Sequence, residues 1–331
     1  MKKNIFIAGG AGYIGSHLNL AAHERGYGTV VYDNLVYGHK SAVQWGDFVL
    51  GDLEDIKQLR LVFRHFRPDA VMHFAAYACV GESVAEPEKY YLNNVAATLN
   101  LLRVMREAGC RDFIFSSTCA TYGIPRQTPI TEDHPQVPVN PYGRSKLMVE
   151  NMLADYAAAY GMRHVNLRYF NAAGADRRSR IGEDHQPETH LIPLVLDAAA
   201  GKKPGVSVFG TDYDTPDGTC VRDYIHVEDL AQAHLLALEY LFDGGESISL
   251  NLGNGQGYSV KEVIDCARAV TGREIRVTEG PRRAGDPPAL VGGTELAARV
   301  LGWRPALPRL EDIIGTAWAW HKKRFGHESG N

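Results

Sequence analysis

The chain has 331 residues, 45% of them hydrophobic and 22% charged, with a formal net charge of −4. This fits one large or two smaller globular domains with ample core material, and no basic run suits nucleic acid. No apolar stretch reaches the roughly 20 residues of a membrane helix, and five widely spaced cysteines read as free thiols, so the cytoplasm is expected.

Residues 4–8 form a short apolar run ending in glycines, the pattern of a buried parallel strand. The lysines before it imitate a secretory leader, but the run is short and breaks at Gly9-Gly10. Gly9, Gly12 and Gly15 follow at Gly-x-x-Gly-x-x-Gly spacing, then a helix over 16–25 closed by Gly26. Such glycines permit a tight turn, let backbone approach a diphosphate and aim a helix N-terminus at it. A strand at 29–33 ends in Asp33. A carboxylate there accepts hydrogen bonds from an adenosine ribose and repels a 2′-phosphate, which favours NAD over NADP. Strand, glycines, helix, strand and terminal acid together specify a dinucleotide site.

The alternation continues with a strand at 48–50, which places Asp52 near an adenine edge, and an amphipathic helix at 56–66. A strand over 70–76 ends in small residues where a cofactor would pass. One long helix is expected over 88–107, closed by Gly109, with Asn93 and Asn94 suited to inward hydrogen bonding or to plain helix polarity. The strand at 113–118 turns from apolar to Ser116-Ser117-Thr118 at its carboxyl end, where ligands lie in open parallel sheets. Then comes Asn140-Pro141-Tyr142-Gly143-Arg144-Ser145-Lys146. Pro141 suits a first helical turn, and Tyr142 and Lys146, four apart, share a face. A cation there favours phenolate, so Tyr142 is expected to titrate below its usual value of about 10 and to act as a general acid/base. A strand at 164–168 runs into Tyr169-Phe170-Asn171.

Beyond residue 172 the texture changes. A polar stretch at 175–189, a helix at 193–200, a strand at 205–210 and a turn-rich loop at 212–219 precede a helix at 227–241 and a strand at 247–252. Helices at 260–270 and 310–325 follow. The expected fold is α/β: a Rossmann-type doubly wound parallel sheet over 1–172, with a smaller α/β substrate lobe over 173–326. Residues 227–252 are expected to return to the first domain, and 327–331 to form a loose tail. Arg222, Arg282 and Arg283 fall in loops, where a guanidinium fork grips phosphate or simply faces water. His185 and His190 near Glu183, Asp184 and Glu188 invite a metal reading, but their order fits no zinc spacing and no metal is expected.

Side by side, these motifs resemble the extended short-chain dehydrogenases/reductases and, more closely, the UDP-glucose 4-epimerases. The resemblance rests on residues 9–17, Asp33-Asn34-Leu35, Gly51-Asp52-Leu53, His73-Phe74-Ala75-Ala76, Val80-Gly81-Glu82-Ser83, Asn93-Asn94-Val95, 113–123 and 141–150. Further along it rests on Arg168-Tyr169-Phe170-Asn171, Gly182-Glu183-Asp184, 217–230 and 281–286. It implies a retained NAD against Gly9, Gly12, Tyr13, Ile14, Gly15, Asp33, Asn34, Asp52, Leu53, Phe74, Ala75, Ala76, Asn93, Ser116, Tyr142, Lys146 and Phe170. It implies that Tyr142 takes the proton of a sugar 4-hydroxyl while hydride leaves C4. The 4-keto sugar turns over, and hydride and proton return to the other face. Lys146 is implied to lower the tyrosine pKa and bond the nicotinamide ribose, and Thr118 to bond the 4-oxygen. The implied UDP-sugar site comprises Thr118, Tyr142, Asn171, His190, Leu191, Val208, Phe209, Arg222, Arg283, Asp286 and Leu290, with Arg222 and Arg283 on the diphosphate. A homodimer paired through helices near 88–107 and 142–160 is also implied.

Three departures from the family pattern stand out. Ala78 replaces a lysine that contacts the cofactor in several relatives, so NAD is retained less tightly or by other means. His190 replaces an asparagine of some relatives. Leu290 replaces a tyrosine that narrows the space around the sugar's C2 substituent, which implies tolerance of N-acetylated sugars. A 4,6-dehydratase would carry Asp-Glu after the threonine, and Cys119-Ala120 stand there instead. The 116–123 segment also resembles UDP-xylose/arabinose epimerases, and that alternative stays open. A non-catalytic redox-sensing protein would not need Tyr142, Lys146 and Thr118 together.

Overall fold

Ile5, Phe6, Ile7, Val71, Met72, Phe113 and Ile114 are sealed from solvent. Successive residues point to opposite faces of a strand, so runs buried at every position need helices on both sides. A computed structural model describes residues 2–283 and 286–326 and shows this layering. The expected tail at 327–331 and residues 284 and 285 lie outside that description.

The chain runs β1 (Asn4–Ala8), α1 (Tyr13–Glu24), β2 (Gly28–Asp33), β3 (Asp47–Leu50), α2 (Ile56–Phe66), β4 (Ala70–His73), α3 (Val80–Ala85), α4 (Pro87–Tyr90), α5 (Ala97–Ala108), β5 (Asp112–Thr118), α6 (Pro141–Tyr160) and β6 (Arg163–Tyr169). It continues β7 (Asn171–Ala173), α7 (Leu191–Ala199), β8 (Val206–Phe209), β9 (Val221–His226), α8 (Val227–Phe242), β10 (Ile248–Leu252) and β11 (Gly257–Ser259). Last come α9 (Val260–Thr271), β12 (Val277–Gly280), β13 (Ala289–Leu290), α10 (Glu295–Leu301) and α11 (Leu310–Phe325). Among the described residues the main sheet has seven strands in the order β10-β6-β5-β4-β1-β2-β3, all parallel.

Alternate residues of the strands feed two cores. Ile5, Ile7, Met72, Ile114 and Val165 pack with Leu18 of α1 and Leu230 of α8. Phe6, Val71, Phe113 and Phe115 pack with Leu59 of α2, Leu101 of α5 and Val149 of α6. A third core, with Val195, Val208, Val263 and Ile313, lies in the smaller lobe. There β9 pairs with β7, β11 and β13, and β8 with β12. The single strand expected at 205–210 thus sits in company that runs of two to four residues had not revealed.

Two elements differ from the sequence reading. The strand expected over 70–76 ends at His73. The helix expected over 88–107 is three pieces: α4, a π-helical segment at Tyr91–Ala96, and α5. The wider turn carries Asn94 inward, where it is 2% exposed and bonds both main-chain groups of Tyr77 and the Ser145 hydroxyl. Segments of this kind are uncommon and concentrate at functional sites.

Helix α6 begins where the chain chemistry says it should. Asn140 accepts a hydrogen bond from Gly143 N at 2.8 Å, Pro141 occupies the first turn, and Gly161 closes the helix at φ 66°. Its inner face is anchored by a buried ion pair. Arg168 of β6 donates to both Glu150 oxygens, with Nη2 at 2.6 Å from Oε2. Ser117 and Gln136 also donate to Glu150, and Arg168 reaches the Tyr122 hydroxyl at 2.9 Å. The pair is 7% and 5% exposed, so removing one member strands the other in a dry site. Arg168→Met should cost about 3–5 kcal/mol in urea unfolding. The double change Arg168→Met/Glu150→Leu should recover much of that loss.

Candidate active site

The glycine turn between β1 and α1 admits little else. Gly9 has φ 77°, and a Cβ there would stand 2.5 Å from Ala75 N. A Cβ on Gly15 would strike the Gly9 carbonyl. Helix α1 has no side-chain cap, so its leading N–H groups are open to an anion. Asp33 accepts from Ala11 N at 2.9 Å and Leu35 N at 2.8 Å, one on each oxygen. It therefore fastens the glycine turn and still has lone pairs for a ribose; burial raises its pKa. Asn34 donates to Asp52 at 2.8 Å beside it. This arrangement fits a dinucleotide. Tyr13 lines the cavity beside the glycine turn, and its hydroxyl donates to Gly174 O at 2.7 Å.

Farther along the cleft, Leu53 is buried and its carbonyl accepts from Asn100. Ile14 and Phe74 pack against the core, with Phe74 beside the His234 ring at 4.9 Å. Ala75 and Ala76 are half-buried in the segment after β4. Asn93 bonds only Asn94, which is the residue that ties this loop to the Tyr142 helix.

At the carboxyl end of β5 the structure brings Ser116, Thr118, Tyr142 and Lys146 together. Tyr142, Lys146 and Glu150 follow one another at four-residue steps along α6. The Thr118 side chain lies near Tyr142 and favours its phenolate, while its hydroxyl oxygen accepts from Ala120 N at 3.1 Å. Lys146 does not pair with the phenol. Its amine donates to the Ser116 carbonyl at 2.8 Å and lies over the Phe115 ring. The Ser116 hydroxyl meets the Tyr169 hydroxyl at 2.6 Å.

This corrects the expected titration of Tyr142. Burial, with the neighbouring Tyr169, pushes the phenol well above its usual value, and the Thr118 side chain opposes the rise only in part. Burial also pushes Lys146 down to about 7, against the pull of Glu150. An amine drawn toward its neutral form stabilises a phenolate less.

The lobe contributes the far wall. Leu290 packs with Cys119, Tyr122, Ile130 and Phe170. Arg222 pairs with Asp286, and Arg283 lies 4.2 Å from the Phe209 ring centroid. Asn171 donates to Asp223 O at 2.9 Å. Leu191 opens α7, and His190 precedes it with Nδ1 at 2.7 Å from Glu188 and 3.0 Å from Glu183. Burial works against that imidazolium, but the two carboxylates hold its pKa up to about 10. Val208 is a correction: strand alternation turns its side chain into the lobe core at 2% exposure, while Phe209 faces outward.

Sequence reasoning missed Asp223 and Glu150. Asp223 is sealed from solvent and accepts from Asn254 N, Gly255 N and Gly292 N at 2.8 to 3.2 Å. Burial pushes its carboxyl up to about 7 against those donors. No linear pattern marks it. Glu150 did leave a signal, one more four-residue step beyond Tyr142 and Lys146.

Lys146 carries a stability cost with a defined pH sign. Its folded pKa of about 7 lies below the ordinary 10.5, so between those values the unfolded chain binds more protons and stability rises with pH. Lys146→Met should stabilise NAD-free protein by about 1–2 kcal/mol at neutral pH. Urea midpoints of the two proteins should converge as pH approaches the ordinary lysine pKa; a constant offset would contradict the burial account.

Residues 5–253 match the model of the "NAD dependent epimerase/dehydratase family". UDP-glucose 4-epimerase of Rhizobium meliloti (strain 1021) is 53% identical over 97% of this chain and 98% of that protein. The crystal structure of UDP-glucose 4-epimerase from Brucella ovis in complex with NAD superposes with a TM-score of 0.94 at 53% identity, over 96% of this chain and 98% of the other. The UDP-Glc/GlcNAc 4-epimerase of Campylobacter jejuni superposes with a TM-score of 0.86 at 43% identity, over 97% and 99%. With the model matched across the glycine turn, the Tyr142 helix and the returning strand β10, this chain belongs to the NAD dependent epimerase/dehydratase family.

Proposed function

We propose that the protein interconverts UDP-glucose and UDP-galactose by reversible oxidation at C4 with a retained NAD. The observation that carries this is Tyr142 beside Thr118 at the carboxyl edge of the sheet, with Cys119 and Ala120 after the threonine instead of an acid pair. A base and an oxygen-binding hydroxyl without an extra acid support oxidation and return, not expulsion of the 6-hydroxyl.

NAD supplies the hydride acceptor at C4 and the positive charge of an oxidised nicotinamide ring. Burial keeps the proton on Tyr142, and the neighbouring Tyr169 adds to the rise. Positive charge arriving beside it favours the phenolate. Tyr142 then accepts the proton of the 4-hydroxyl and returns it after the ketone has turned over. Thr118 holds the 4-oxygen through both halves. Lys146, supported by Ser116, holds the ribose end and gains charge as the site fills. Arg222 and Arg283 would take the diphosphate, and Phe209 and Leu191 would flank the nucleotide.

Leu290 favours a second substrate. A branched aliphatic side chain beside Cys119 and Phe170 leaves more room than a tyrosine, so UDP-N-acetylglucosamine should also turn over. The chain is also proposed to act as a homodimer in the cytoplasm. Exposed Leu92, Leu99 and Met148 on the helices around 88–107 and 142–160 support pairing, and five free thiols support a reducing compartment. No described helix is long and apolar enough to cross a membrane.

Tyr142→Phe should lower kcat for UDP-galactose by about 10²–10⁴-fold while bound NAD is kept, read by product analysis and cofactor content. Full activity in that variant would sink the assignment of the base. Leu290→Tyr should reduce kcat/KM for UDP-N-acetylglucosamine about tenfold or more relative to UDP-glucose. Equal losses on both sugars would remove Leu290 from the sugar pocket.

A further inference from the structure

The polar stretch after β7 folds back on itself. Glu183, His185, Glu188 and His190 each bring one donor atom into a group spanning no more than 4.8 Å. We propose that these four side chains form a binding site for one zinc-class divalent cation, set between the glycine turn of the cofactor domain and the first turn of α7.

The donor geometry supports a cation at the centre. His190 Nδ1 lies 2.7 Å from Glu188 and 3.0 Å from Glu183; His185 Nδ1 lies 3.2 Å from Glu183 and 4.0 Å from Glu188. A tetrahedron with bonds of about 2.1 Å has edges of about 3.4 Å, which the 3.0, 3.2 and 4.0 Å separations to Glu183 Oε1 and Glu188 Oε2 bracket; the 2.7 Å contact is to Glu188 Oε1. The carboxylates are 9% and 12% exposed. Two carboxylates that close and that dry need a counter-charge, which the His190 ring already supplies and which a bound cation would take over.

The loop is also braced from outside, as ligand loops are. Trp320 donates to Glu183 O at 2.9 Å, Arg324 pairs with Asp184 at 2.8 Å, and His39 meets Asp184 O at 2.7 Å. Backbone N–H groups of Thr189 and His190 both donate to Glu188 Oε1, which leaves Oε2 for a ligand. Asp184 stands outside the group because Arg324 takes it.

Ligand chemistry selects the ion. Two imidazole nitrogens with two carboxylate oxygens suit zinc, whereas magnesium and calcium take oxygen ligands. Four protein ligands leave no open position, so the role is structural. Binding would release the imidazole proton and fix His190 in place. The His185 ring stands edge-on to Tyr13 at 6.3 Å, so the ion would also stiffen one wall of the cofactor cleft. The sequence invites a metal reading here but its order matches no zinc spacing, because the ligands Glu183-x-His185-x-x-Glu188-x-His190 lie on an irregular loop, not a finger or a helix.

The test is tag-free, NAD-loaded protein, stripped with chelator and titrated with Zn²⁺ alone against a chromophoric competitor. About one zinc per chain should bind in the wild type, and His185→Ala and Glu188→Gln should each weaken binding by about 100-fold or more. X-ray absorption on the wild type should show four nitrogen and oxygen neighbours at about 2.0–2.2 Å and no sulfur. Circular dichroism and NAD content identify a variant that has lost its fold; the wild-type titration and spectrum stand apart from either. Less than about half a zinc per chain in the wild type, stoichiometric zinc in a folded variant, or a sulfur-containing shell overturns the site.

Discussion

The position of the reactive tyrosine depends on an ion pair it never touches. Helix α6 carries Tyr142, Lys146 and Glu150 on one side, and Glu150 is locked to Arg168 of β6 in a dry interior. The pair sets the helix's height and rotation against the sheet, since sliding by one turn would part the charges. Ser117, Tyr122 and Asn251 extend the network to β5 and β10. Burying such a network is a poor route to stability and a good route to a unique register. Catalysis needs that register, because a base must lie within hydrogen-bonding distance of the proton it takes.

The same burial shapes the chemistry. Burial pushes the Tyr142 phenol up and the Lys146 amine down, each toward its uncharged form. The fold therefore does not carry a ready-made phenolate. It carries a buried, protonated tyrosine. The Ser116 carbonyl steadies Lys146 meanwhile, and the Tyr169 hydroxyl steadies the Ser116 side chain.

Much of the cofactor half was legible in the sequence because it is written in local terms. Gly9 and Gly15 are required by contacts within a turn, Asp33 ends its strand, and the parallel strands are continuous apolar runs. The π-helical segment at Tyr91–Ala96 was not legible, since its composition is that of an ordinary helix and its benefit, Asn94 on Tyr77 and Ser145, is tertiary. The small sheet was missed for a related reason. Strands of two and three residues such as β13 and β7 have no periodicity to read, and Asp223 earns its place through the loops it gathers. The direction of the Tyr142 shift was misread because spacing reveals proximity and says nothing of solvent.

The chain threads its two parts through each other, and this bears on the order in which they can form. Strand β6 at 163–169 is an edge until β10, about eighty residues later, lies beside it. Strand β9 waits for β13 at 289–290. During synthesis the β6 edge is therefore unpaired while the first half of the second lobe emerges, the situation in which strands find the wrong neighbour. The interleaving ties both parts to distant chain: β6 is covered only once residues 248–252 have emerged, and β9 gains its last neighbour only with residues 289–290.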